Sequence, residues 1–169
     1  MTRTSELKTD RLLLRRARSN DLDAIHQIMR DGETMRFWST PPHASKAQTR
    51  RWLDSMLSAD PSASDEFVIE HDGIIIGKLG AWCLPEIGFF LRRESRGQGL
   101  AYEALTAFIE YIRSQGVAQL TADVDPLNIA CLKLLTRAGF LETGRAQGTY
   151  VVGERVCDSV YFRLNLQSP

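Results

Sequence analysis

A glycine turn between a strand pattern and a helix pattern constrains the fold of this chain more than any other feature. Residues 86–91 form an extended, mostly apolar run, and a basic segment follows at 92–95. The turn itself, with glycines at Gly97 and Gly99, then leads into an amphipathic helix that continues to about residue 115. The first N–H groups of such a helix lack intrahelical partners, and its dipole is positive at that end. We therefore predict an anion site at the turn, with phosphate as the usual anion.

Other protein classes use the same physics, because P-loop proteins and Rossmann domains also place phosphates on glycine turns. No Gly-Lys-Ser/Thr closes this turn, which excludes a Walker A motif. Tyr102 stands where a Rossmann fingerprint has its third glycine, and the turn lies in the middle of the chain rather than in a first βαβ unit. An ordinary helix start, with glycines only for clearance, remains the alternative for this segment taken alone.

Length and charge limit the class of protein. The 169 residues fit one domain, which we expect to span residues 1–169. The 21 basic and 21 acidic residues balance, so no net field favours nucleic acid or an anionic membrane. No apolar run approaches the ~20 residues of a membrane span, and the N-terminus lacks the apolar core of a signal peptide. The three cysteines lack metal-ligand spacing, so we expect free thiols, no metal and a cytoplasmic location.

Hydrophobic periodicity predicts the order of the elements. Asn20 is expected to cap the first helix and Gly32 to end it. Ser45 and Gln48 form a capping-box pattern for a second helix, whose Leu57 is expected to face inward. The remaining pattern gives two strands joined at His71-Asp72-Gly73, then a strand at 86–91, the helix after the turn, a strand at 120–124, a helix at 128–138 and two late strands. A first strand at 12–14 completes an α+β fold, with a mixed sheet and helices on both faces.

A second motif lies downstream, where Asn128 opens a helix pattern that Gly139-Phe140 closes. Together the two motifs resemble the GNAT superfamily of N-acetyltransferases. Arg-x-x-Gly-x-Ala at 96–101 is similar to its acyl-CoA pyrophosphate loop, and the Asn128 helix is similar to its other signature. Residues 7–15, 85–89 and 151–158 look like the ribosomal-protein N-acetyltransferase branch, of RimJ/RimL type. The order of elements is similar to the acetyltransferase fold over the whole chain, which implies a mixed, mostly antiparallel central sheet.

The resemblance implies a binding mode for acetyl-CoA. A mid-sheet strand splays from its neighbour, and the pantetheine arm pairs with the opened strand edge. The Asn128 side chain would hydrogen-bond the same pantetheine arm, although a role as the plain N-cap of its own helix explains it equally well. The main chain of the opened strand would involve Phe89, Phe90 and Leu91, and the pyrophosphate would lie on the turn formed by Arg96, Gly97, Gln98, Gly99, Leu100, Ala101 and Tyr102.

The resemblance also implies the reaction, in which a primary amine attacks the thioester directly in a ternary complex. Glu86 is the predicted base, because a carboxylate shielded at the start of the apolar strand can have a raised pKa and act directly or through water. By alternation it shares a face with Gly88 and Phe90. A solvated strand-end glutamate is the plainer interpretation, and Asp123 and Asp125 are reserve candidates. The oxyanion donor is expected to be a backbone N–H near Leu91 or Phe90.

The sequence offers one candidate for the proton donor to the leaving thiolate. Many relatives carry a tyrosine seven positions after the asparagine, where this chain has Leu135. Cys131 stands where the RimL-type branch can have a serine, so its thiol is a candidate acid. Packing as a small apolar residue is the alternative role for Cys131.

The expected partners are acetyl-CoA and an amine acceptor. Trp38 and Trp82 are candidate walls of the acceptor site, although aromatic residues at such positions are at least as often core. The acceptor could be a protein N-terminus, a polyamine, an aminoglycoside or an amino acid. We expect no nucleic-acid or membrane partner, and a monomer or homodimer. The rival functions are a non-catalytic acyl-CoA-binding module and an unrelated nucleotide-phosphate binder.

Overall fold

Eight strands form one mixed sheet, in the order β1-β2-β3-β4-β5-β6-β8-β7, in the computed structural model, which describes residues 3–167. The strands are β1 (Glu6–Lys8), β2 (Leu12–Arg15), β3 (Asp65–His71), β4 (Ile74–Cys83), β5 (Glu86–Leu91), β6 (Gln119–Val124), β7 (Leu141–Val152) and β8 (Arg155–Asn165). The helices are α1 (Leu22–Met29), α2 (Lys46–Leu57), α3 (Leu100–Ser114) and α4 (Ile129–Arg137). The predicted α+β architecture is confirmed.

The parallel pair β5 and β6 interrupts an otherwise antiparallel sheet. One register pair, Glu86 with Thr121, joins these two strands, and the Thr121 amide donates to the Pro85 carbonyl at 2.9 Å. Beyond that pair the strands diverge toward their carboxyl ends. The sheet therefore opens in its middle, next to the glycine turn that follows β5.

Two clusters of apolar side chains cover the two faces of the sheet. One cluster contains the inner side of α3, including Phe108 and Ile112, packed against alternate sheet residues such as Ile87 and Leu91. The other cluster packs α1 and α2 against the opposite face, where Phe90 lies. The predicted alternation along β5 is thus confirmed, because Ile87 and Leu91 lie on one face and Phe90 on the other.

The start of the first helix was predicted wrongly. Asn20 does not cap it, because residues Ser19–Asp21 form a 3₁₀ turn and α1 begins at Leu22. The Asp21 carboxylate accepts two hydrogen bonds from the Arg15 guanidinium, at 2.9 and 2.8 Å, and one from the Arg18 amide at 2.7 Å. A charge partner from β2 therefore decides the local conformation here. The helix also ends at Met29, before Gly32.

Two other local predictions, the cap of α2 and the hairpin between β3 and β4, are confirmed. The Ser45 hydroxyl accepts from the Gln48 amide at 3.2 Å and caps α2 as predicted. Asp72 and Gly73 both have positive φ, as the tight hairpin between β3 and β4 requires. The prediction for Leu57 is wrong: it is 43% exposed, because it is the last residue of α2 and lies beyond the part of the helix that packs on the sheet. No helix within residues 3–167 is long and apolar enough to cross a membrane.

Candidate active site

A cavity of about 620 Å³ lies where β5 and β6 diverge. Of the residues predicted to bind the coenzyme, the following line it: Phe89, Phe90, Leu91, Arg96, Gly97, Gly99, Leu100, Ala101, Tyr102 and Asn128. Gln98 is the exception. Its side-chain amide donates to the Glu94 carbonyl at 3.1 Å, and its own carbonyl accepts from Arg11 at 2.9 Å. The sequence therefore located this cavity well, but it did not show which turn residue points away.

The glycine turn has a backbone conformation that favours glycine. Gly97 and Gly99 have φ angles of +73° and +77°, in the left-handed region. A Cβ built on Gly97 would meet nothing within 4 Å, so open space lies above the turn. Gly99 is the N-cap of the 15-residue helix α3 and brings no side chain to bond the first amides. Those amides thus remain available to an anion in the cavity.

The turn is braced from behind by the connection between β1 and β2. Arg11 donates to the Gln98 carbonyl, and to Glu103 in the first turn of α3 at 2.7 Å. The Thr9 hydroxyl donates to the same carboxylate at 2.6 Å. Burial acts to raise the pKa of Glu103, but the bonds from Thr9 and Arg11 outweigh it and lower that pKa. The carboxylate therefore stays ionised and holds the turn through Arg11.

The charge of the cavity fits a polyanion. Four cationic residues line it (Arg36, Arg96, Lys133 and Arg137), and none of its described lining residues is acidic. Arg137 stacks over the Tyr102 ring at 4.0 Å. Two large apolar side chains, Leu127 and Ile129, also line the cavity although they are 68% and 54% exposed. A cationic rim beside an apolar wall matches the phosphates and the pantetheine arm of a coenzyme A molecule.

Asn128 is confirmed as a helix cap. Its Oδ1 accepts from the Cys131 amide at 3.3 Å, and α4 begins at the next residue. Asn128 also lines the cavity. The predicted bond to a pantetheine arm remains a prediction beside this structural role.

The two positions considered for the proton donor, Cys131 and the tyrosine position occupied by Leu135, lie one turn apart on the same face of α4 but at different depths. Leu135 is fully buried in the core, so the position where relatives have a tyrosine does not face the cavity. Cys131 does line the cavity, and burial raises the pKa of its thiol to about 12. That thiol is therefore protonated at neutral pH and is a weak acid.

Glu86 lies in a second, smaller cavity of about 300 Å³, not in the larger one. Its carboxylate accepts from the Trp82 indole at 3.3 Å. Of the reserve candidates, Asp123 shares this second cavity. Asp125 is buried, pairs with Arg155 at 3.3 Å and accepts from the Leu127 amide at 2.8 Å. Its oxygens are thus committed to structural contacts.

The two candidate acceptor-site tryptophans differ in position. Trp38 lines the large cavity and meets Phe90 edge to face, with ring centroids 4.9 Å apart. Trp82 is 57% exposed and lines neither cavity, although it touches Glu86. The structure thus brings Trp38 and Cys131 to the first cavity and leaves Trp82 beside the second.

A buried ion pair beneath Trp38 was missed from the sequence. Lys78 on β4 pairs with Glu66 on β3, and its ammonium lies 5.5 Å from the Trp38 ring centroid. Burial lowers the pKa of Lys78. The signal was visible, because Lys78 is the one charged residue within an apolar strand pattern at 74–82.

The contacts that Arg155 makes beside the large cavity were also missed from the sequence. Arg155, at the start of β8, pairs with Asp125 and donates to the Arg36 carbonyl at 2.8 Å. It thereby joins the final hairpin to the 36–38 segment that lines the large cavity. These three residues are far apart in sequence, and no local pattern predicts that they meet. Among residues 3–167, no group of three or more His, Cys, Asp or Glu side chains is placed to hold a metal ion.

Comparison with known proteins identifies the family of this chain. Residues 11–141 match the acetyltransferase (GNAT) domain family. The chain is 27% identical over 168 residues to an uncharacterized N-acetyltransferase, p20, of Bacillus licheniformis, covering 94% of each chain. It is 29% identical over 155 residues to an L-methionine sulfoximine/L-methionine sulfone acetyltransferase of Pseudomonas paraeruginosa, covering 86% of this chain and 90% of that one.

Solved structures share the fold. RimL, a ribosomal L7/L12 alpha-N-protein acetyltransferase solved in complex with coenzyme A, superposes with a TM-score of 0.85 at 18% identity. The match covers 95% of this chain and 97% of that one. The resemblance to the RimL-type branch is supported at the level of the fold. With the family match over most of its length, this chain belongs to the GNAT acetyltransferases and is an N-acetyltransferase that uses acetyl-CoA.

Proposed function

We propose that this chain transfers the acetyl group of acetyl-CoA to a primary amine by direct attack in a ternary complex. The divergence of β5 and β6 between two cavities carries the proposal. The larger cavity is cationic and suits the coenzyme, whereas the smaller one contains the candidate base. A thioester held between the strands is then reached from the side of the smaller cavity. Two similar proteins are named for different acceptors, L-methionine sulfoximine or L-methionine sulfone in one case and the alpha-N position of ribosomal L7/L12 in the other.

The coenzyme is expected to lie along three parts of the large cavity. The amides of residues 97–102 hold the diphosphate at the start of α3, and the cationic rim formed by Arg36, Lys133 and Arg137 neutralises phosphate charge. The opened edge of β5 pairs with the pantetheine arm. When bound, the coenzyme supplies the activated acyl thioester. No side chain of this protein has to form a covalent bond to the acetyl group.

The alternation of β5 identifies the donor for the oxyanion. The Arg92 amide donates to the Ile76 carbonyl at 2.7 Å, toward β4. Successive residues of a strand direct their N–H groups to opposite sides, so the Leu91 amide points toward the opened edge and the Phe90 amide toward β4. We therefore favour Leu91 over Phe90 as the backbone donor to the thioester oxygen.

Proton transfer is assigned to the smaller cavity. Glu86 accepts the ammonium proton of the acceptor, directly or through a water, while the Trp82 indole orients its carboxylate. The coenzyme thiol is a tolerable leaving group, because an ordinary thiol has a pKa near ~8.5. Cys131, whose thiol pKa is raised to about 12, remains protonated beside it and gives little acid assistance.

A thiol-release assay with acetyl-CoA and a panel of amines tests the proposal. Glu86→Gln is expected to lower kcat/KM by about 10²–10⁴-fold while coenzyme affinity in calorimetry stays unchanged. Glu110→Gln, at an exposed position on α3, is the matched control and should behave as wild type. Full activity of Glu86→Gln would remove Glu86 as base. Coenzyme binding without thiol release for any amine would overturn the proposed reaction.

A further inference from the structure

The smaller cavity is built on one row of the sheet. Glu86, Thr121 and Arg163 are register partners on the adjacent strands β5, β6 and β8. Asp123 and Tyr161 form the neighbouring register pair and line the same cavity. The residues that alternate with them on β6 and β8, such as Ala122 and Phe162, point into the α3 side of the core. The polar row therefore lies on the opposite face.

This row presents charges of both signs that are not committed to other groups. Within residues 3–167, neither Asp123 nor Arg163 forms a side-chain hydrogen bond or an ion pair, and Glu86 is bonded only to the Trp82 indole. Asp123 and Arg163 are exposed and Glu86 is half-buried, so these charges are solvated rather than held by other side chains. Two carboxylates and a guanidinium that share a cavity without pairing are available to a ligand that carries both charges.

We infer that this cavity is the acceptor site and that it selects a free α-amino acid, whose amine and carboxylate stand on the same carbon. The inference rests on the proposed function, because the amine must lie at Glu86 for its proton to be removed. The carboxylate then points across Thr121 toward Arg163. A guanidinium binds a carboxylate with two parallel hydrogen bonds, which fixes both the position and the orientation of the acceptor.

The spacing of the row suits a small zwitterion. Neighbouring strands lie ~4.8 Å apart, so the Cα atoms of Glu86 and Arg163, two strands apart, are separated by about 10 Å. Both side chains line the cavity of about 300 Å³, with Thr121 between them in the row. Asp123 adds a second carboxylate beside the amine position, and the exposed Trp82 offers an apolar surface for the acceptor's side chain.

The same charges discriminate against the other amines considered for this chain. A polyamine would bring a second ammonium group to Arg163, where like charges repel. A protein N-terminus presents a neutral peptide carbonyl in place of the carboxylate, and so it lacks the charge-assisted bonds to the guanidinium. Selectivity therefore depends on Arg163, whereas removal of the proton depends on Glu86.

The test compares L-leucine, L-leucinamide and spermidine as acceptors in the thiol-release assay. The free acid is expected to have the highest kcat/KM. Arg163→Gln should raise KM for L-leucine by about 10–100-fold and leave kcat/KM for L-leucinamide within about twofold, because only the acid bonds the guanidinium. Arg163→Lys should recover part of the loss. Arg113→Gln, at an exposed position on α3, is the control and should match wild type.

Each outcome decides the inference. Preference for the free acid that disappears in Arg163→Gln supports it. Equal or faster acetylation of L-leucinamide or spermidine would overturn it and leave the proposed acetyl transfer intact. An equal loss for acid and amide in Arg163→Gln would also overturn it, since that result indicates a structural role. Coenzyme binding with no thiol release for any acceptor would instead remove the proposed function, and the inference with it.

Discussion

Gly99→Glu tests the assignment of the glycine turn most directly. At φ +77° any L-residue costs about 1–2 kcal/mol of stability. A Cβ there would meet only the Arg11 guanidinium, at 3.6 Å, so the fold should survive. A carboxylate about 5 Å from a bound phosphate, at an effective dielectric constant of about 20, opposes binding by about 3 kcal/mol. We therefore expect the Kd for coenzyme A to rise by roughly 10²-fold.

Two further variants separate charge from strain. Gly99→Lys carries the same backbone strain with the opposite charge and should retain most of the affinity. Gly116→Glu has the same strain at the other end of α3, where φ is +78°, and should bind coenzyme A as wild type does. Calorimetry gives the affinities and thermal melting checks the fold. Equal losses in Gly99→Glu and Gly99→Lys, or unchanged affinity in Gly99→Glu, would refute the electrostatic reasoning.

Two other predictions concern buried charge and thiol chemistry. Arg15→Met leaves Asp21 and Glu70 without their buried cation and should lower the free energy of unfolding by about 3–5 kcal/mol in urea titrations. Burial acts to raise the pKa of Asp21, but the Arg15 bonds outweigh it, so wild-type stability is lost as pH falls through that lowered pKa. In Arg15→Met the loss should begin at a higher pH, and an unchanged acid limb would contradict this. Burial raises the pKa of the Cys131 thiol to about 12, so its thiolate fraction at pH 8 is about 10⁻⁴. Iodoacetamide should therefore label the exposed Cys83 before Cys131, as followed by mass spectrometry. Equal labelling of the two cysteines would argue against the burial of Cys131.

Features controlled by a few neighbouring residues were predictable from the sequence. Gly97 and Gly99 mark a left-handed turn that other residues rarely adopt, so the turn and the helix after it were identified at the correct positions. The Ser45 cap and the Asp72-Gly73 hairpin depend in the same way on side chains within four positions. The cavity at the end of β5 followed, because it is built mainly from those local elements.

Features that depend on distant partners were not predictable. Asn20 is not the N-cap of α1, because Arg15 on β2 binds the Asp21 carboxylate and the helix begins after it. Gln98 does not line the cavity, and its carbonyl accepts from Arg11, which is 87 positions away in the chain. Glu86 was identified as a candidate from its own strand, but nothing local showed that it lies in a separate cavity.

The sequence by itself determined where the chain turns, which stretches form strands and helices, and that a helix start is left open to an anion. Local sterics and backbone hydrogen bonding set those features. Only the tertiary structure decided which charges meet, because strand order placed residues 86, 121 and 163 in one row. The energy of a charge depends on what lies within a few ångströms of it, and for these residues that is fixed by sheet topology rather than by neighbours in the chain.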